Sequence, residues 1–506
     1  MAMTQSVLHT ALERFQALDE KISHLESIAG LLSWDQKVIA PKKGRAQFSK
    51  AYGALQTEIF EHMISQEMGE LLDQLSESNE NFDTVTKAKI RLRKHFYNRS
   101  KSIPSDLYKE YSVLCSDAND AWEEAREKND YGLFLPYLEK IVEIKKKFIE
   151  YYGYEKHPYD ALLDEFEPGL TVEVLDPLFA SLREKSIALL NKIKAATHQT
   201  PVKIVKQPFA IEKQKEFNLY MLPQLGFDLE AGRLDETVHP FAQTVNTGDV
   251  RITTRYLEDN VLSALFGTIH EAGHGIYEQQ ISSNLEGTVL CSGTSFGIHE
   301  SQSRFLENMV GRSEAFWQYF LPKLKEFFPA QLHNVELQEF YEAINTVHPS
   351  FIRVEADELT YNLHIMLRYE IEKELFEGKL EVSELPAVWN KKMEKFLGIV
   401  PPTDTLGVLQ DVHWSFGGFG YFPSYSLGNL YAAQLLKTMK KELPEFDQYL
   451  ETGNSQPIMS WLKDRIHQHG RLYTPNELIV SVTGEQLNAT YLVEYLEEKY
   501  SRVYQL

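Results

Sequence analysis

Cysteine is almost missing from this sequence. Cys115 and Cys291 are the only two in 506 residues and lie far apart, which argues against a disulfide scaffold and fits a reducing compartment. Both read as core thiols, with Cys291 keeping a secondary claim on chemistry because it falls between two metal-ligand candidates. Glycine (27) and proline (20) are too sparse for disordered or fibrous material. Long apolar runs are lacking too: none approaches the roughly 20 residues that a membrane span requires. The N-terminal MAMTQSVLHTALERFQALDEK has no basic segment followed by an apolar stretch, so no export signal is expected. Basic residues are in deficit, with 52 Lys and Arg against 73 Asp and Glu and a formal charge of -21. Such a surface repels phosphate backbones and anionic lipid, so neither nucleic acid nor membrane is an expected partner, and the chain reads as cytoplasmic.

What is present is a folded, helical chain. Hydrophobic residues at 43% and charged residues at 25% are those of a soluble globular protein. Leu12, Phe15, Leu18, Ile22, Leu25 and Ile28 recur at three- and four-residue intervals, the period of one helical face. Leu359, Leu363, Leu367, Ile371 and Leu375 repeat that spacing, and such stripes are read as core. Residues 225–256 break the pattern: glycines punctuate short stretches, and the β-branched run Val250 to Thr254 predicts a small sheet just before the chemically richest segment. An edge strand there would be able to bind an extended peptide backbone. No repeat, low-complexity tract or Gly/Ser linker appears, so one domain over 1–506 is the simplest organisation.

His270-Glu271-Ala272-Gly273-His274 is an HExxH motif, preceded by the apolar lead-in Val261 to Ile269. Histidines four apart on a helix share a face and can converge on one zinc ion, while the intervening glutamate reaches the metal's open position as a general base. A pair of satisfied core histidines would look the same locally. A third ligand is needed. Glu278 lies about 12 Å along the helix axis from His270 at 1.5 Å per residue, too far to close the site. A second helix after the loop 292–297 offers Glu300, with His299 an open alternative on residue chemistry alone. The metzincin pattern is absent, because Tyr277 and Gln280 stand where it requires Gly and His.

Further along, His413, Tyr421 and Tyr425 sit in a Gly-rich segment suited to a loop beside a substrate, and His413 and Tyr421 are candidate donors to a tetrahedral intermediate. Tyrosines anchoring the loop to the core are the alternative. Arg353 and Arg251 are candidate forks for a substrate carboxylate, competing with ion pairs to neighbouring acids, Asp249 in the case of Arg251. Asp357 and Asp411 are candidates to orient the zinc-bound imidazoles.

The run His239-Pro240-Phe241, Asp249-Val250-Arg251-Ile252-Thr253, the HExxH, His299-Glu300-Ser301-Gln302, Ile352 to Asp357 and Gly407 to Trp414 resembles the thermostable carboxypeptidase 1 family of HExxH zinc metallocarboxypeptidases. That family is related in fold to angiotensin-converting enzyme and neurolysin, and the early Trp34-Asp35-Gln36 extends the likeness towards the N-terminus. The resemblance implies a mainly α fold with a long substrate groove flanked or covered by helices of residues 1–100. It also implies a homodimer, Glu300 as third ligand and Glu271 as catalytic acid and base. The expected cofactor is one zinc per chain, for which cobalt is able to substitute. The expected reaction is release of single amino acids from peptides with a free C-terminal carboxylate. The alternatives are an endo-acting oligopeptidase with the same zinc site and a non-catalytic zinc-containing peptide-binding scaffold.

Overall fold

The first apolar stripe forms one long helix, Gln5–Val38, in the computed structural model, which describes residues 5–506 apart from Asn79 and Asn81. Phe15, Leu18 and Ile22 are buried, while Ile28, at 49% exposed, has drifted off the buried face. A strict count of three and four carries a stripe around a helix of 3.6 residues per turn only so far. The buried face meets Met68, Leu71, Leu72 and Leu75 of the helix Gln66–Glu77, whose start is capped by Ser65 accepting from the Met68 N–H. These helices form a small apolar cluster distinct from the large one that spans the rest of the chain.

The sheet has three strands, β1 (Gly232–Glu236), β2 (Ala242–Asn246) and β3 (Asp249–Thr254), in the order β1-β3-β2. β3 runs parallel to β1 and antiparallel to β2. The β-branched run Val250 to Thr254 is therefore the central strand, with both edges already paired. It cannot add a peptide strand, because its backbone groups are spent on its neighbours. Only β1 and β2 are edges, and the N-terminal helix packs so near β2 that a Cβ on Gly30 would lie 2.9 Å from the Thr244 carbonyl oxygen. His239-Pro240-Phe241 forms the approach to β2, tied down by the Phe241 N–H donating to Thr253 Oγ1.

Val250 and Ile252 point into the core beneath the HExxH helix, Val261–Gln279. That helix buries Leu265, Phe266, Ile269, Ala272 and Ile276, a stripe wide enough to explain why it sits in the interior. A short helix, Phe296–Arg304, crosses it and carries Glu300; Ser295 caps its start by accepting from the Ile298 N–H. At the crossing a Cβ on Gly273 would lie 2.5 Å from Gln302 O and 2.6 Å from Ser303 Cα, so the two backbones touch. On the other side lies the helix Pro423–Glu442, where a Cβ on Gly428 would overlap Glu300 Cγ. Glu300 is thus clamped between two helices, each of which presents glycine at the contact.

The later stripe forms the helix Glu358–Phe376, buried on nearly every face. Among the described residues no helix is long and apolar enough to cross a membrane.

A methyl group has no room at either glycine contact. Gly273→Ala and Gly428→Ala are each expected to lower stability by about 1–3 kcal/mol through overpacking. The readout is a lower urea midpoint at unchanged slope; a wild-type midpoint for both would mean that the helices are not in contact.

Candidate metal centre

His270 and His274 lie one helical turn apart with ring centroids 5.0 Å apart, and their Nε2 atoms approach Glu300 Oε2 at 3.6 and 3.4 Å respectively. Together the three side chains place one donor atom each within 4.8 Å of one another. Two imidazole nitrogens and one carboxylate oxygen at this spacing suit a divalent ion of the zinc type, and the remaining nitrogens are already committed elsewhere. His270 Nδ1 bonds Glu307 Oε2 at 2.9 Å. His274 Nδ1 meets His299 Nδ1 at 2.6 Å, and His299 Nε2 bonds Glu278 Oε1 at 2.9 Å. Because a carboxylate only accepts, His299 donates through Nε2, accepts at Nδ1, and so receives a proton from His274 Nδ1. The His274 Nε2 lone pair is left facing the cage. The residue types fit the metal.

Glu300 is held from behind. Arg304 Nε donates to Glu300 Oε1 at 2.7 Å, and Arg304 Nη1 donates to Glu307 Oε2 at 3.1 Å. Burial alone would push the Glu300 carboxyl up, but Arg304 and the two histidines outweigh it and hold the group far below the usual carboxylate range. Burial likewise opposes ionisation of Glu307, which Arg304 and His270 bring down to about 2. The turn after Arg304, Phe305–Val310, is π-helical and carries Glu307. Glu271 differs: it is buried, its Oε2 has no hydrogen-bond partner, and burial pushes its carboxyl up to about 7. A buried acid poised near neutrality and aimed at nothing has the character of a proton carrier.

Tyr421 lies within electrostatic reach of Glu300; His413 opens a 3-10 turn, His413–Phe416, while Tyr425 stands in the first turn of the helix Pro423–Glu442 and not in an irregular loop as the glycines suggested. His413 Nε2 is 3.3 Å from Tyr425 Oη, and the rings of Tyr421 and Tyr425 are 5.2 Å apart. Burial brings His413 down to about 4, so its imidazole is neutral at pH 7, and burial raises Tyr421 to about 12. Arg353 begins a short 3-10 turn, Arg353–Glu355, and does not pair with the acids that follow it in sequence. Its partner is the distant Asp411, at 3.0 Å from Nε, with Tyr361 Oη at 3.0 Å from Nη1 and the Tyr425 ring beneath it at 4.7 Å. Asp411 also accepts from Arg368 Nε at 2.7 Å.

One expectation needs correction. Asp357 and Asp411 do not orient the imidazoles: Asp357 caps the helix Glu358–Phe376 by accepting from the Leu359 and Thr360 N–H groups, and Asp411 joins two arginines. Glu307 and His299 are the groups bonded to the imidazole Nδ1 atoms. Arg251 makes the ion pair with Asp249 that its sequence neighbourhood offered: its Nε and Nη2 go to Asp249, at 2.8 and 2.7 Å, and its guanidinium lies 4.6 Å from the Trp34 ring. The two cysteines are free, half-buried and outside the donor set.

Sequence reasoning missed Glu372. This wholly buried carboxyl accepts from Trp414 Nε1 at 2.7 Å, the Gly420 N–H at 2.9 Å and Tyr159 Oη at 2.5 Å. It therefore ties down both ends of the segment between His413 and Tyr421. The available signal was an acid next to Ile371 in a helix otherwise reading as core.

Two metal-facing histidines from an HExxH helix, a glutamate from a crossing helix and an unpartnered buried acid between them define a helical metallopeptidase. Residues 14–500 match the model of the carboxypeptidase Taq (M32) metallopeptidases. The chain belongs to that family. It is 51% identical to carboxypeptidase 1 of Bacillus subtilis over 499 residues, covering 99% of this chain and 100% of the relative. It is 41% identical to thermostable carboxypeptidase 1 of Thermus thermophilus over 513 residues, covering 99% and 100%. The crystal structure of the M32 carboxypeptidase from Deinococcus radiodurans superposes with a TM-score of 0.95 at 35% identity, covering 98% of this chain and 100% of that one.

Glu307→Gln and His299→Ala are each expected to weaken metal binding about 10- to 100-fold in competition with a chromophoric chelator. Asp357→Asn should leave it unchanged; the reverse ranking would reject this assignment. A second outcome concerns pH. Burial raises the Glu372 carboxyl from its ordinary 4.5 to about 7, so the folded chain keeps a proton there that the unfolded chain releases. The stability it contributes is full below the ordinary value and is lost as pH rises through about 7. Urea titrations of Glu372→Gln should therefore show a flatter stability profile across that window than wild type.

Proposed function

We propose that this metallocarboxypeptidase is a zinc enzyme that removes single residues from the free C-terminus of peptides, with His270, His274 and Glu300 holding the metal. The observation that carries the reading is the meeting of three donor atoms within 4.8 Å beside a buried, unpartnered Glu271 oxygen. Three protein donors leave room for solvent, whereas a structural zinc site normally closes all four positions with protein. When bound, the metal supplies Lewis acidity and makes water nucleophilic near neutral pH. Cobalt satisfies the same donors.

Glu271 accepts the proton of the attacking water at its free Oε2 and passes it to the departing amine, so one carboxyl serves both halves of hydrolysis. Its position beside His270, where burial keeps it near neutrality, suits both states. His413 and Tyr421 donate hydrogen bonds to the oxygen that becomes negative as the carbonyl turns tetrahedral. The neutral imidazole and the phenol, raised to about 12, both keep their protons for that task at pH 7.

Arg353 takes the terminal carboxylate through Nη2, while Asp411 and Tyr361 fix its other nitrogens, and Tyr425 lines the same end. Arg353 is preferred to Arg251 because Arg251 spends its fork on Asp249. The homodimer and the helices of residues 1–100 flanking or covering a substrate groove are part of the same proposal, carried by the family resemblance, while the cytoplasmic location rests on the scarcity of cysteine.

Glu271→Gln is expected to keep stoichiometric zinc yet lose about 10²–10⁴ in kcat. A free-acid peptide should yield its last residue, with activity abolished by chelator and restored by zinc, while its C-terminal amide is spared. Equal cleavage of the amide, or internal fragments, would replace the exopeptidase reading with an endopeptidase one.

A further inference from the structure

Phe296 opens the helix that carries Glu300 and stands four positions before it, so both side chains share one helix face. Its ring is 46% exposed. Single exposed apolar side chains are ordinary on protein surfaces, and exposure alone says little. What sets this ring apart is its company. Phe296 meets Phe166 edge-on at 5.5 Å and Tyr421 at 5.3 Å, and Phe166 meets Tyr421 at 5.0 Å. The three rings form a closed set of edge-to-face pairs, the arrangement aromatic quadrupoles favour.

The trio is built before any ligand arrives. The Phe296 N–H donates to Phe166 O at 3.2 Å, and the Gly297 N–H donates to Glu167 Oε2 at 3.0 Å. Glu167 is itself buried and accepts from Tyr431 Oη at 2.8 Å. The backbone beneath the rings is therefore pinned from behind, while the Phe296 face stays open.

Position along the substrate follows from the neighbours. Arg353 lies over the Tyr425 ring at 4.7 Å, Tyr425 meets Tyr421 at 5.2 Å, and Tyr421 leads on to Phe296. The carboxylate end of the site is thus at Arg353, the reacting carbonyl beside Tyr421 and His413, and the aromatic trio on the far side. An extended chain advances about 3.3–3.6 Å per residue, so the side chain next to the trio belongs to the residue just before the bond that is cut.

We propose that Phe166, Phe296 and Tyr421 form the pocket for the side chain of the penultimate residue, and that this pocket selects aromatic or large aliphatic side chains. The position rests on the carboxypeptidase reading, through Arg353; the chemistry of the pocket rests on the rings alone. An apolar side chain placed there covers the open face of Phe296 and removes both surfaces from water.

The test uses the zinc-loaded full chain and N-blocked dipeptides ending in alanine, with phenylalanine, leucine or glycine in the penultimate place. Wild type is expected to favour phenylalanine and leucine over glycine in kcat/KM. Phe296→Ala should reduce that preference about 10-fold or more, and Phe296→Leu should restore part of it, since a hydrophobic pocket typically discriminates by about 10- to 200-fold. Zinc content and the ranking of final residues should not move. Binding of the same uncleaved peptides to a Glu271→Gln chain, with and without Phe296→Ala, should show the same loss in Kd. Equal loss for all penultimate residues, a shift confined to final-residue ranking, or no wild-type preference would each overturn the pocket. Amidated peptides separate the two readings. If they are spared, the penultimate assignment stands; if they are cleaved equally, the Arg353 anchor and the position fall, even where selectivity still follows Phe296.

Discussion

The arrangement depends on one buried charge, the Glu300 carboxylate, and on what makes its burial tolerable. An isolated carboxylate in a protein interior costs several kcal/mol, and it stays ionised only where opposite charge and hydrogen bonds surround it. Arg304 takes one oxygen and the two histidines face the other. Glu307 then accepts from both Arg304 Nη1 and His270 Nδ1, which ties the second carboxylate of the cluster to the first. The unsatisfied member is Glu271. Its raised affinity for a proton is the direct result of sitting in the same low-dielectric space without a cation of its own.

A second network holds the segment that faces this cluster. Asp411 joins Arg353 and Arg368, with Gln410 accepting from the Arg353 N–H and from Arg368 Nη2. Glu372 then pins Trp414 and Gly420. His413 and Tyr421 are thereby fixed by groups outside the donor set of His270, His274 and Glu300. The two networks draw on different parts of the chain and meet at Tyr361, which accepts from Arg353 Nη1 and whose ring lies 4.3 Å from the Arg304 guanidinium.

How much of this was legible in the sequence depended on whether the information was local. The HExxH spacing carries its own geometry, because four residues on a helix always return to the same face. The apolar stripes placed the long helices correctly for the same reason. The third ligand was not local: His299 and Glu300 are neighbours on the next helix, and residue type alone left both open. Residue chemistry preferred Glu300 without excluding His299, the likeness to a known family strengthened that preference, and the fold makes His299 a partner of His274 instead. The imidazole-orienting acids went astray because Asp357 and Asp411 stand in segments that also carry site candidates, Arg353 and His413, but are consumed by a helix start and by two arginines. Glu307 sits seven positions after Glu300 and three after Arg304, a helical spacing that was visible but unused. The central place of β3 was equally hidden, since strand order is a property of crossovers and no local pattern records it.

The contact at Gly273 has a final consequence. Where two helices touch backbone to backbone, their separation is set by the thickness of the main chain and not by whatever ion lies between their side chains. The coordinating atoms are prepositioned by the scaffold, so the ion can depart and return without dismantling the architecture around it. The geometry of the donor set is in this way a property of the main chain before it is a property of any ion.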